Sequence, residues 1–175
     1  MSDKTLKYDL ISQKDNARPY LLLADVRKMY HPETVEARIV LAWVNDVKPD
    51  TDGRIMLGKC VPVSQLQKEL IDHDFIILLN KEVWGDEKFD TAKKKALLDH
   101  EMCHVAPVFN TDGPAKDARG RRMWRTRGHE IEEFSGVVER HGCYKGDLER
   151  FAEALLKARG TPLFPEEATA AQQIQ

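Results

Sequence analysis

Apolar residues recur along this chain in two periods, and the switches between them outline the fold. Residues 1 to 16 follow neither period and are expected to form a flexible arm. From Arg18-Pro19 onward, Leu22, Leu23, Val26 and Met29 recur at helical spacing, and His31-Pro32 ends that helix. Ala37 to Val44 (ARIVLAWV) is continuously apolar and β-branched, as a central strand is. Turn chemistry at Lys48 to Gly53 precedes a second strand over Arg54 to Val61, and Ser64 to Asp72 reads as a short helix or a crossing loop. Phe75 to Asn80 (FIILLN) predicts a third strand.

The second half reads as helical. Lys93 to Val105 has no glycine or proline, carries good helix formers, and meets a stop at Pro107. Residues 125–142 predict another helix, entered at Gly128-His129, with an apolar stripe of Ile131, Phe134, Val137 and Val138 and a stop at Gly142. A last helix is expected from Asp147 to Arg159, and Thr161 to Gln175 is small, polar and expected to be disordered. The pattern predicts an α+β fold: a flexible arm (1–16), one domain (17–160) and a tail (161–175), with a small sheet of three or more strands against the helices.

Composition narrows the class. A chain of 175 residues, 42 % hydrophobic and 32 % charged, suits one soluble globular domain. No apolar run approaches the roughly 18 residues of a membrane span. The polar first sixteen residues hold nothing that suggests export, and three cysteines at no zinc-knuckle spacing fit a reduced, cytoplasmic protein.

The chemistry concentrates in His100-Glu101-Met102-Cys103-His104, an HExxH sequence. Residues four apart share a helix face, so both imidazoles can reach one metal ion while Glu101 stands beside a water as general base. Leu97, His100, Glu101 and His104 form one stripe; Leu98, Met102 and Val105 anchor the helix in a core. A catalytic zinc site needs a third protein ligand. The metzincin spacing would put glycine at 107 and histidine at 110, where this chain has Pro107 and Asn110. The next candidates are His129, which ligand chemistry favours, and Glu133 or Glu130, with the loser serving as a hydrogen-bond partner of a ligand. Cys103 is expected to be packed rather than ligating, and His31 and His73 to be structural or surface residues. His141 and Tyr144 are weaker candidates for stabilising an oxyanion.

Between Pro107 and Gly128 lies a basic insert, in which Lys116, Arg119, Arg121, Arg122, Arg125 and Arg127 face only Asp112 and Asp117. Arg119, Arg121, Arg122 and Arg125 around Trp124 could grip a nucleic-acid backbone and stack a base, or select an acidic protein. The plainer reading is a solvated hairpin whose arginines pair with Glu130, Glu132 and Glu133. No known DNA-binding signature accompanies it.

ALLDHEMCHV, the turn NTDG, WRTRGHEIEEFSGVVERHG and YKGDLERFAEAL together resemble the phage metallopeptidases, small phage and prophage proteins with an HExxH helix and a downstream GHxxEEF helix. The similarity extends upstream through YHPETVEARIVLAWV, GRIMLGK and DFIILLNKEVW, and so covers roughly residues 18 to 158. More distantly the arrangement is similar to SprT and Spartan-like proteases, whose third zinc histidine opens a later helix. The resemblance implies a zincin-like α+β fold and one Zn2+ on His100, His104 and, by the SprT analogy, His129. This chain departs from SprT in the longer insert between second and third ligands. In such folds the strand before the metal helix borders the cleft, which predicts a peptide paired near Asn80. The expected function is a zinc metallopeptidase of phage or prophage origin acting on a protein or peptide in the host cytoplasm. The alternatives are a DNA-associated, SprT-like protease using the basic insert, a non-catalytic zinc-stabilised DNA- or protein-binding module, and a counter-defence factor that binds a host protein. No substrate comes with the resemblance.

Overall fold

A computed structural model describes residues 7–131 and 135–158, without the side chains of residues 65 and 69. It divides after Arg127 into two units, Met1–Arg127 and Gly128–Gln175. The expected C-terminal tail (161–175) lies outside the described residues.

In the first unit, α1 (Arg18–Tyr30) begins with Pro19, whose missing N–H and fixed φ suit a first turn. It buries Pro19, Leu22, Leu23 and Val26. Met29, expected in that stripe, is 63 % exposed. The covered part of the helix ends a turn early, and the buried position beyond it belongs to His31.

Four strands form the sheet, in the order β1-β2-β4-β3. Here β1 is Tyr8–Leu10, β2 is Ile39–Val44, β3 is Gly58–Pro62 and β4 is Phe75–Asn80. The central pair is parallel, in register from Ile39↔Phe75 to Val44↔Asn80, while β1 and β3 are antiparallel additions at the two sides. The apolar run of β4 has a structural cause: Phe75, Ile77 and Leu79 are buried on one face, and Ile76 and Leu78 are partly covered on the other. Two expectations change here. Part of the predicted flexible arm is β1, tied to β2, and the next residue, Ile11, joins the core. The second strand starts at Gly58 rather than Arg54, because Asp50 draws residues 50–54 into a turn by accepting from the backbone N–H groups of Asp52 and Arg54.

Two capped helices follow. Ser64 caps α2 (Gln65–Leu70) with a capping box, and Asn80 caps α3 (Lys81–Gly85) by accepting from the N–H groups of Glu82 and Val83. Asp90 caps α4 (Thr91–Cys103), accepting from Lys93 N–H at 2.9 Å. Leu98 and Met102 of α4 are fully buried and meet Leu41, Ile77 and Leu79 of the sheet and Leu23 and Val26 of α1 in one core.

The sequence carries α4 to Val105, but the helix ends two residues sooner. Val105–Pro107 is a strand, β5, paired antiparallel with β8 (Trp124–Thr126). Pro107 pushes Ala106 into extended geometry, which suits the strand and not the helix. Between these strands, β6 (Phe109–Asn110) and β7 (Gly113–Pro114) make the expected hairpin-like insert, turning through Thr111 and Asp112, with Gly113 just after the turn at φ +120°.

The second unit contains α5 (Ser135–His141) and α6 (Gly146–Ala158). Gly142, at φ +68°, ends α5 in the left-handed conformation. The helix predicted from Gly128-His129 does not begin there: residues 128–131 are irregular, and residues 132–134, before α5, lie outside the described residues. The chain leaves β8 extended and enters Gly128, the residue that loses most entropy in a helix. Among the described residues no helix is long and apolar enough to cross a membrane.

Candidate metal centre

His100, Glu101 and His104 all come from the last turn of α4, where that helix crosses behind β3. The rings of His100 and His104 are 5.2 Å apart between centroids and nearly perpendicular, at 83°. His104 caps the helix, and its Nδ1 lies 2.6 Å from the carbonyl oxygen of Arg127. A carbonyl only accepts, so the ring proton sits on Nδ1 and the lone pair is on Nε2, the form in which imidazole binds a metal. Arg127 reinforces this clamp twice more: its backbone N–H donates to the carbonyl of His104 at 2.9 Å, and its Nε donates to that of Cys103 at 2.9 Å. The carbonyl groups that a helix leaves unsatisfied at its C-terminus are thereby occupied.

Glu101 is 3 % exposed, unusual for a carboxylate, and among the described residues no arginine or lysine pairs with it. Burial raises its pKa, against the opposing pull of the neighbouring His104 and of the Cys60 backbone N–H, which hydrogen-bonds the carboxylate. The strand makes room for it at Gly58, where a β-carbon would lie 2.8 Å from Glu101 Oε1 and 3.1 Å from Leu97 Cδ1. The Cys60 thiol, buried and facing the Glu101 charge, is pushed up to about 12 and stays protonated at neutral pH. Two imidazoles, that of His104 with its tautomer fixed, beside a buried carboxylate form a donor set that fits a zinc-type ion and a proton acceptor.

The remaining candidates lie on other elements. His129 and Glu130 are exposed residues of the second unit's irregular opening stretch, and Glu133 lies outside the described residues. His141 is exposed at the end of α5. Cys103 is solvent-exposed rather than packed.

The basic insert also departs from expectation. Trp124 is 9 % exposed and sits in the core, so its ring is withdrawn from any surface on which a base could stack. The Arg122 guanidinium lies 5.5 Å from the Trp124 ring and 5.9 Å from that of Phe109, and pairs with Glu36 at 3.6 Å. Arg121 pairs with Asp117 at 2.8 Å and with Asp72 at 3.3 Å. Arg121 and Arg122 are thus paired with Asp72, Asp117 and Glu36, while Glu132 and Glu133 lie outside the described residues. Arg119 and Arg125 are exposed.

Sequence reasoning missed Gly58, the Cys60 amide and the Arg127 carbonyl. Only the first had a signal, since an isolated glycine in a strand pattern often marks a close approach of another group. The backbone groups have none.

A sheet-backed helix presenting two imidazoles and a buried glutamate defines a metal-dependent hydrolase class. A family model described as "Putative phage metallopeptidase" matches residues 18–156, and the chain belongs to that family. No curated protein and no solved structure matches it.

Proposed function

We propose that this protein is a zinc-dependent peptidase in which Glu101 is the general base and His100, His104 and His129 hold the metal. The observation that carries the reading is the Glu101 carboxylate, buried beside two imidazoles on one helix turn. Zinc at this position would polarise the scissile carbonyl and bring the pKa of a coordinated water toward 7.

The chain's own residues do the rest. Glu101, its basicity raised by burial, accepts a proton from the attacking water and returns it to the leaving amine. The Cys60 amide fixes the direction in which the carboxylate faces. The Arg127 carbonyl keeps the His104 proton on Nδ1. His129 follows Arg127 by two residues, a covalent reach of about 7 Å, which supports it as third ligand over the more distant Glu133.

The expected peptide position near Asn80 needs correcting. β4 is paired on both sides, and Asn80 itself caps α3. The strand beside Glu101 at the sheet's edge is β3, and a substrate main chain would pair along it.

The test is Glu101→Gln. The amide keeps the shape but accepts no proton, so zinc content and melting temperature should match wild type while peptide hydrolysis falls by roughly 100-fold or more. A Glu101→Gln protein with wild-type turnover removes the proposal.

A further inference from the structure

On the neighbouring face of α4 stands a second group of ligand-type side chains. Asp99 and Cys103 each precede a histidine of the HExxH sequence, so they point about 100° around the helix from it. They face the end of α1, where His31 is 7 % exposed. His31 Nε2 lies 2.6 Å from Asp99 Oδ1, and one ligand atom from each of His31, Asp99 and Cys103 lies within 4.8 Å of the others. The edges of a zinc tetrahedron measure about 3.5 Å, so small side-chain rotations bring all three onto one ion.

Three features go beyond a histidine–aspartate hydrogen bond. The second ring nitrogen of His31, Nδ1, has Glu33 Oε1 3.8 Å away, beyond direct hydrogen-bond distance but placing a further negative charge beside the cluster. The turn carrying His31 is held in place: Thr34 Oγ1 donates to the His31 carbonyl at 2.8 Å, and Arg27 donates to the carbonyls of Thr34 and of Ala37. Access is also built in, because Cys103 is exposed and the Asp99 side chain is 39 % exposed.

We propose that His31, Asp99 and Cys103 bind a second, thiophilic divalent cation of the zinc class, with water in the remaining position, joining the end of α1 to the metal helix. One nitrogen, one oxygen and one sulfur donor suit a borderline-soft ion, and a carboxylate with a thiolate balances its charge. A hydrogen-bonded His31–Asp99 pair without metal is the competing account, and it makes no demand on residue 103.

Cobalt(II) reconstitution separates the two. A cobalt–thiolate bond gives an intense charge-transfer absorption, whereas an all-imidazole centre gives none. The full chain, stripped of metal and reloaded with cobalt(II), should show that absorption. Cys103→Ser should abolish it and lower the metal content by roughly one equivalent, with far-UV circular dichroism unchanged because the thiol is exposed. Cys143→Ser, the control at the other exposed cysteine, should change neither. His100→Ala should keep the thiolate absorption, so failure of the peptidase centre reads differently from failure of this site. No thiolate absorption in wild type, absorption that survives Cys103→Ser, or equal metal content in the two proteins overturns the proposal.

Discussion

Glu101 pays for its position in lost solvation, and the surrounding groups are arranged to hold it there. Its carboxylate lies against bare backbone at Gly58 and takes the Cys60 N–H, so strand geometry rather than a side-chain partner sets its direction. A methyl group at residue 58 would meet Oε1 at 2.8 Å. The atom that must yield is the end of a flexible side chain, which makes the change cheap for the fold and costly for the proposed general base, which must aim at one proton. Gly58→Ala should therefore keep the melting temperature and zinc content of wild type but lower kcat by roughly 100-fold. Undiminished kcat in that variant would mean that the close approach has no part in turnover.

At the scale of elements, the metal helix is fixed at both ends by groups outside it. Asp90 accepts from the Lys93 N–H at its start, and Arg127 takes the Cys103 and His104 carbonyls at its end. Such caps decide where a helix stops and how its last turn is presented. Removing the first cap by Asp90→Ala should cost about 1 kcal/mol and lower the melting temperature by about 2–4 °C, as calorimetry would read. An unchanged melting temperature would show that water satisfies those N–H groups equally well. The strand pair β5–β8 delivers Arg127 to the end of α4, so the basic insert serves as a structural clamp through its last arginine.

Within the first unit as a whole, one ion network pins the chain where β2 and β4 begin. Asp74 is 3 % exposed and accepts from Arg38 at backbone N–H, Nε and Nη2, while Lys68 Nζ stands 3.3 Å from it. Burial by itself would raise the Asp74 pKa, but the hydrogen bonds and charge of Arg38, with Lys68, bring it below the ordinary value of 3.8. The depressed native pKa means that this carboxylate contributes stability above pH 3.8, and that the contribution disappears as pH falls through the lower native value. Asp74→Asn should destabilise the protein at neutral pH by about 1–3 kcal/mol, since Arg38 loses its buried charge partner and keeps only the exposed Asp72. The same variant should flatten the loss of stability below pH 4, measured by urea unfolding across pH. A variant as acid-sensitive as wild type would assign that sensitivity to other carboxylates.

Local pattern and spacing determined the helix of His100 and His104, the strand Phe75–Asn80, the turn chemistry, the hairpin-like insert and the family resemblance, because periodicity and motif spacing are properties of neighbours in the chain. Only the tertiary structure decided that Tyr8–Leu10 joins the sheet, that β4 lies inside it with β3 at the edge, and that Trp124 is core rather than surface. It also decided that His31 meets Asp99 across 68 residues. These outcomes depend on which distant segments cover one another, and burial of that kind leaves no period in the sequence. The contacts that tune the site are mostly to backbone atoms at Cys60 and Arg127, and since every residue carries the same backbone groups, no choice of amino acid advertises them.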